Sequence, residues 1–217
     1  MNEIPRTPRT TLHRRSGRGS YDRDLIYSIL DEGLVCHVGF AVNGDPYVTP
    51  TTYARIGDRL VIHGSTGSRT LQALAAGAPA CVTVTLLDGL VLARSAFHHS
   101  MNYRSVMILG TAAAVETRQA KREALRAVVD HVVPKRSQDA RPPGDAEVDG
   151  TLVVGFPISE ASAKVRTGPP IDDPEDMRLG CWAGVIPLSL AAGAPVPDPH
   201  LAPGCPIPDA VASYTRR

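Results

Sequence analysis

The 217-residue sequence has no apolar run near the ~20 residues needed to span a bilayer. Its opening, MNEIPRTPRT, lacks the hydrophobic segment of a secretory signal. A cytoplasmic protein with no membrane partner is therefore expected. The four cysteines, Cys36, Cys81, Cys181 and Cys205, fall in no close pair, so no metal knuckle is readable and no metal site is expected. Cys36 and Cys81 sit in strand-like apolar runs and read as reduced core residues. Neither charge sign is in excess. The formal net charge is +1, with 43% hydrophobic and 21% charged residues, which argues against a general nucleic-acid partner. Strand–helix alternation of the dinucleotide-binding kind is also missing. Ser, His and Asp residues are present, but no nucleophile-elbow spacing arranges them for covalent catalysis.

What is present reads as short strands with interspersed helices. SYDRDLIYSILDE carries apolar residues at Leu25, Ile26, Ile29 and Leu30, a helical period with Ser20 as a possible cap. LVCHVGFAV, PYVTPTTYAR and DRLVIHG read as strands joined by the tight turns NGD and IGD, hence antiparallel neighbours. SRTLQALAAG reads as a short helix. ACVTVTLLDGLVLARSA and YRSVMILGTAAAVE read as long strands, and RQAKREALRAVVDHVV as an amphipathic helix ended by Pro134. KRSQDARPPGDAEVDG reads as a loop and TLVVGFPISEASAKVR as one further strand. The fold expected is mainly β and antiparallel, a closed barrel with helices on its flank. Residues 1–19 form a basic arm expected to be flexible, 20–190 the domain, and 191–217 a Pro/Gly-rich tail. Through Arg23 six arginines face only Glu3 and Asp22.

Two segments carry chemistry. HGSTGSRTLQAL (63–74) places small residues, hydroxyls and Arg69 at the mouth of a helix. A phosphate needs that combination: backbone N–H groups that can approach, hydroxyl donors, a helix N-terminus and a forked cation. A simple turn and cap would use the same residues. SAFHHSMNYRSVMILG (95–110) is unusually polar for a strand entrance. Lys164 and Arg166 lie two apart on a strand, so they share a face. They suit an anionic substrate beside a cofactor, or alternatively pairing with Asp172 or Asp173. His37, inside an apolar strand, reads as a hydrogen-bonded core residue. His131 ends a helix, where a cation suits the dipole.

At CHVGF, HGSTGSR, VTLLDGLVLARSAFHHSMNYRSV, EASAKVRTGPP and WAGVIPL the sequence resembles the pyridoxamine 5′-phosphate oxidase-related FMN-binding split-barrel proteins. More narrowly, it resembles their nitroimidazole-resistance, nitroreductase-like branch. The resemblance implies an antiparallel FMN-binding split β-barrel, and a homodimer with cofactor at the subunit interface. It assigns the flavin phosphate to His63, Gly64, Ser65, Ser68 and Arg69, and the ring to Pro50, Thr51, Thr52 and Tyr53. The partner's contribution maps to Tyr103, Arg104 and Ser105, and a tail aromatic to Trp182. His63, Lys164 and Arg166 are the candidates for catalysis on a small planar substrate. The tail has no arginine before Arg216, so the substrate-phosphate motif of the vitamin B6 oxidases is missing. A deazaflavin in place of FMN, and a non-catalytic flavin- or haem-binding protein, are the alternatives.

Overall fold

The computed structural model describes residues 2–215. The chain runs β1 (Gly19–Ser20), α1 (Arg23–Glu32), β2 (Val35–Val42), β3 (Asp45–Thr52), β4 (Ala54–Ile56), β5 (Arg59–Ser65) and α2 (Arg69–Ala75). It continues with β6 (Pro79–Leu92), β7 (Ser100–Thr111), β8 (Ala113–Ala114), α3 (Arg118–Val132) and α4 (Asp145–Asp149). The last elements are β9 (Thr151–Pro157), β10 (Ala161–Arg166), β11 (Gly184–Pro187) and α5 (Asp209–Ala212). Every strand pair whose register is resolved is antiparallel. No helix among the described residues is long and apolar enough to cross a membrane.

The elements group into two compact units. The first unit takes residues 1–33, 82–108 and 159–189. Here β1, β10, β7 and β6 lie side by side, with β11 on β6. Helix α1 packs against β10 with Ile26, Ile29 and Leu30 buried, as its apolar spacing predicts. Its cap is Asp22, whose carboxylate accepts from the Leu25 N–H at 2.7 Å. Ser20 lies too early and is paired in β1. The basic arm makes contacts with the body of this unit. Ile4 and Thr10 are buried, the Ile4 N–H donates to the Tyr21 carbonyl, and Glu160 accepts from Thr7 and Arg9. A single apolar anchor and a carboxylate partner outweigh the arm's charge density.

The second unit takes residues 34–81, 109–158 and 190–217. The β2–β3 hairpin turns at Asn43 and Gly44, both with positive φ, as the NG sequence requires. A four-stranded sheet follows in the order β4-β5-β9-β8. Ala54, Val61 and Val153 on its strands pack against Ala124 and Val128 of α3. Two sequence-level strands break in two. PYVTPTTYAR divides at Tyr53 into β3 and β4, and TLVVGFPISEASAKVR divides at the turn between β9 and β10. Unbroken apolar spacing reports burial and carries no record of where a chain changes partner strands. The stretch read as a loop, 135–150, contains α4. His37 is exposed, because the β2 alternation buries Cys36, Val38 and Phe40 on the opposite face.

A candidate cofactor site around His63

Strand β5 lies between β4 and β9, so both its edges are paired, and Leu60, Val61 and Ile62 on its two faces are all buried. Side chains alternate along it, which puts His63 on the face of Val61, the face that packs α3. His63 there lines a cavity of about 550 Å³ with Leu125, Val128 and Val129 of α3. Its Nδ1 is buried and has no hydrogen-bond partner. Burial lowers the His63 pKa, so the ring is held neutral. An unengaged neutral imidazole on an apolar wall is an arrangement suited to ligating a metal centre or an electrophile.

The remaining wall is charged in both signs, with Arg122, Arg126 and Arg141 beside Glu123 and Glu147. Arg122 donates to the Pro143 carbonyl and to Asp145, and Arg141 forks onto Glu147 at 3.0 and 2.8 Å. Arg126 also lines the cavity, and no ion pair of its own is found among the described residues. The segment 137–147, rigid at Pro142 and Pro143, closes this side. Sequence reading missed Leu125, Val128, Arg126 and Arg141 as site residues. The one available signal was ARPPGDAE, a stiff cation-bearing turn ahead of a helix start.

Arg141 and the Gly144 N–H hold the Glu147 carboxylate well below its ordinary range, at about 2. The folded state therefore binds fewer protons than the unfolded chain as pH falls. The contribution of Glu147 is complete above about pH 4.5 and fades toward about 2. Glu147→Gln is expected to flatten that part of the acid limb in denaturant melts between pH 5 and 2.5. An unchanged acid limb would remove Glu147 from the account.

The HGSTGSR loop is more self-contained than a simple phosphate cradle. The Thr66 N–H donates to Gly150, the Gly67 N–H to the Ser65 hydroxyl, and the Ser68 N–H to the Ser65 carbonyl. Ser68 caps α2, accepting from the Leu71 N–H. What remains for an anion is the hydroxyl set and the Arg69 guanidinium, which lies 5.0 Å over the Tyr47 ring. Gly64 lies close to α2, since a Cβ there would sit 2.9 Å from Leu71. On β3, Pro50 and Thr52 are exposed. The Thr51 hydroxyl donates to the Thr52 carbonyl. Tyr53 is fully buried against His131 at 4.9 Å, which places its ring in the core instead of on a cofactor face.

In the first unit Arg104 is engaged by two carboxylates, Glu32 and Asp88, the latter at 3.0 and 2.8 Å, and these raise its pKa. Any cofactor anion would compete with both. Tyr103 and Ser105 flank it on β7, opposite Arg166 and Lys164. Arg166 is buried and donates to Asn102 and to the carbonyls of Gly168 and Pro169. Those bonds tie down the turn after β10, so Arg166 is not free to swing toward a substrate, and Lys164 is the more accessible of the two. Asp172 and Asp173 pair instead with Arg94 and His98. His98, Asp173 and Asp176 bring three ligating atoms within 4.8 Å, but His98 already bonds Asp173 at 3.1 Å. Trp182 is exposed, and its ring covers Gly184, where a Cβ would stand 2.8 Å away.

The profile described as pyridoxamine 5′-phosphate oxidase matches residues 22–165. The chain belongs to this family. Its antiparallel fold with flanking helices is the family's split barrel. The structure is similar to that of the flavocytochrome Anf3 from Azotobacter vinelandii, with 43% identity, 94% of this chain and 95% of that one covered, and a TM-score of 0.90. It is also similar to an FAD and heme binding protein from Mycobacterium smegmatis, with 41% identity, 92% and 98% covered, and a TM-score of 0.88. A putative 5-nitroimidazole antibiotic resistance protein from Bacteroides thetaiotaomicron shares 26% identity over 68% of this chain and 86% of its own, with a TM-score of 0.57. No curated protein gives a match.

Proposed function

We propose that this family member is a redox protein that binds a flavin and a haem and passes electrons to a small acceptor such as oxygen, a quinone or a nitro compound. The observation that carries the reading is identity above 40%, over more than nine-tenths of both chains, to a flavocytochrome and to an FAD and heme binding protein. The His63 cavity supports it from this chain's own residues. Haem needs a neutral imidazole, apolar walls and cations for its two carboxylates. His63, the α3 side chains Leu125, Val128 and Val129, and Arg126 supply that set. The volume is in the range of cofactor pockets.

When bound, the flavin supplies hydride and one-electron exchange, and the haem supplies one-electron and oxygen chemistry. The protein's part is binding, orientation and exclusion of water. His63 stays unprotonated because burial disfavours its cation, Val128 keeps water from the wall beside it, and Arg126 offers a cation to a carboxylate. The flavin is assigned to Pro50, Thr51 and Thr52 for its ring, and to Ser65, Ser68 and Arg69 for its phosphate. Tyr103, Ser105 and Trp182 keep the assignment given by the family resemblance. FMN is the form the family resemblance implies, while the description of a similar protein names FAD.

A homodimer belongs to the same proposal. The outer face of the β2–β3 hairpin exposes Val35 and Val48 within a single chain, at 45% and 68%. A cytoplasmic setting also fits, since all four cysteines are unpaired. The test is the absorption spectrum of the purified protein, followed by chromatography of the pigments that heat releases. A Soret band together with a flavin band is expected. The chromatogram separates FMN from FAD and from a deazaflavin. A colourless protein that takes up neither flavin nor haem on titration would overturn the reading.

A further inference from the structure

The first unit holds a second cavity, about 520 Å³, in which positive charge is concentrated. Arg14, Arg15, Arg18 and Arg166 line it, together with His99 and Phe97. Its only carboxylate is Asp173, already engaged by His98 at 3.1 Å. Among the described residues no ion pair is found for Arg14, Arg15 or Arg18. Arg166 is 5% exposed, and its Nε is buried with no partner even though both terminal nitrogens are bonded. Burial, and repulsion from Arg18 and Arg15, lower the Arg166 pKa. Arg14 and Arg15 are exposed and Arg18 is half-buried, so their guanidinium groups are hydrated and able to turn toward an anion in the cavity.

The backbone is arranged for this. Arg15 takes a left-handed conformation, φ 56° and ψ 48°, which a bulky residue rarely adopts. That turn starts the short helix Ser16–Arg18, and Arg18 donates its N–H back to the Arg15 carbonyl. Beside the cations the Phe97 ring is 88% exposed, stacked edge-on to His98 at 5.2 Å. An aromatic face in water next to an arginine cluster offers a platform for a planar base.

From this arrangement we infer that the arginine cavity binds the diphosphate of a nucleotide, with Arg14, Arg15 and Arg18 gripping the phosphoryl oxygens and Phe97 stacking on the base. Two linked phosphates match the charge better than one, and guanidinium forks match phosphate oxygens two at a time. As the seat of a flavin dinucleotide the site rests on the proposed function; as the seat of a separate nucleotide it does not depend on it. The ligand could be the adenylate half of a flavin dinucleotide or a separate nicotinamide dinucleotide. Their shared group is adenosine diphosphate.

The experiment is calorimetric titration of the full chain with ADP and with inorganic pyrophosphate. It is run on the protein as purified and after flavin release. ADP is expected to bind and pyrophosphate to compete. Arg14→Ala and Arg18→Ala should each weaken both ligands about tenfold, in line with loss of one charged hydrogen-bond set. Phe97→Ala should weaken ADP and leave pyrophosphate unchanged. Arg178→Ala, outside the cavity, should change neither. All of these side chains reach solvent except where the cavity covers them, so the variants should fold. Binding seen only after flavin release assigns the site to a dinucleotide flavin. Binding seen in the loaded protein assigns it to a second nucleotide. Absence of ADP binding in both states, or binding indifferent to Arg14 and Arg18, overturns the inference. The readout is a dissociation constant, so it can fail while the pigment is present and hold in a colourless protein.

Discussion

His63→Ala is expected to remove the Soret band of the purified protein almost completely while leaving flavin per protein unchanged. The reason lies in one strand. His63 alone among the histidines combines a buried, unpartnered ring nitrogen with a place on a cofactor-sized cavity wall. His131 stacks on Tyr53, His98 bonds Asp173, and His99 bonds the Ser95 carbonyl. Alanine opens space for a free imidazole, so millimolar imidazole should restore the Soret band in the variant. A purely structural histidine would not show that rescue. Ligation should also persist to lower pH than for an exposed histidine, since burial lowers the His63 pKa. The same shift means that His63 ionisation is without effect on stability above the free-histidine pKa and opposes folding as pH falls below about 6.5. A Soret band of full intensity in His63→Ala would show that the iron ligand lies elsewhere.

The second large effect is on stability. Phe156 is 1% exposed on β9, opposite Leu60 of β5, and that sheet face lies away from His63 and α3. Removing its ring leaves a cavity over that sheet face, which the fixed backbone ladder of β5 and β9 cannot collapse to fill. Phe156→Ala should cost about 3–5 kcal/mol, a large share of a typical folding free energy. The melting temperature of the second unit should fall by about 10 °C. Phe97→Ala is the matched control, because an 88% exposed ring has little burial to lose. If Phe156→Ala melted like the native chain, the packing drawn for β5 and β9 would be wrong. Whatever fraction stays folded should keep its Soret band, since the His63 wall is untouched.

Sequence alone settled the things that depend on local pattern. The helical period at Ile26, Ile29 and Leu30 defined α1, and the NG turn defined the β2–β3 hairpin. Family motifs spread along the chain pointed to the split barrel before any coordinates. Each of these rests on neighbours within a few residues, or on a signature of many short matches.

What the sequence could not decide depended on contacts far apart in the chain. The anchoring of the basic arm rests on Glu160, about 150 residues from Thr7 and Arg9. Nothing in RTPRTTLHRRSGR records that partner. Arg104 looked like a cofactor ligand until folding placed Glu32 and Asp88 around it. Tyr53 looked like a ring contact until the strand break turned it into the core. His63 was visible as a polar residue at a suggestive loop, but its chemistry came from α3 packing over β5 and leaving a gap. Burial, and the missing partner that burial creates, are properties of the whole packed unit, so only the tertiary structure could supply them.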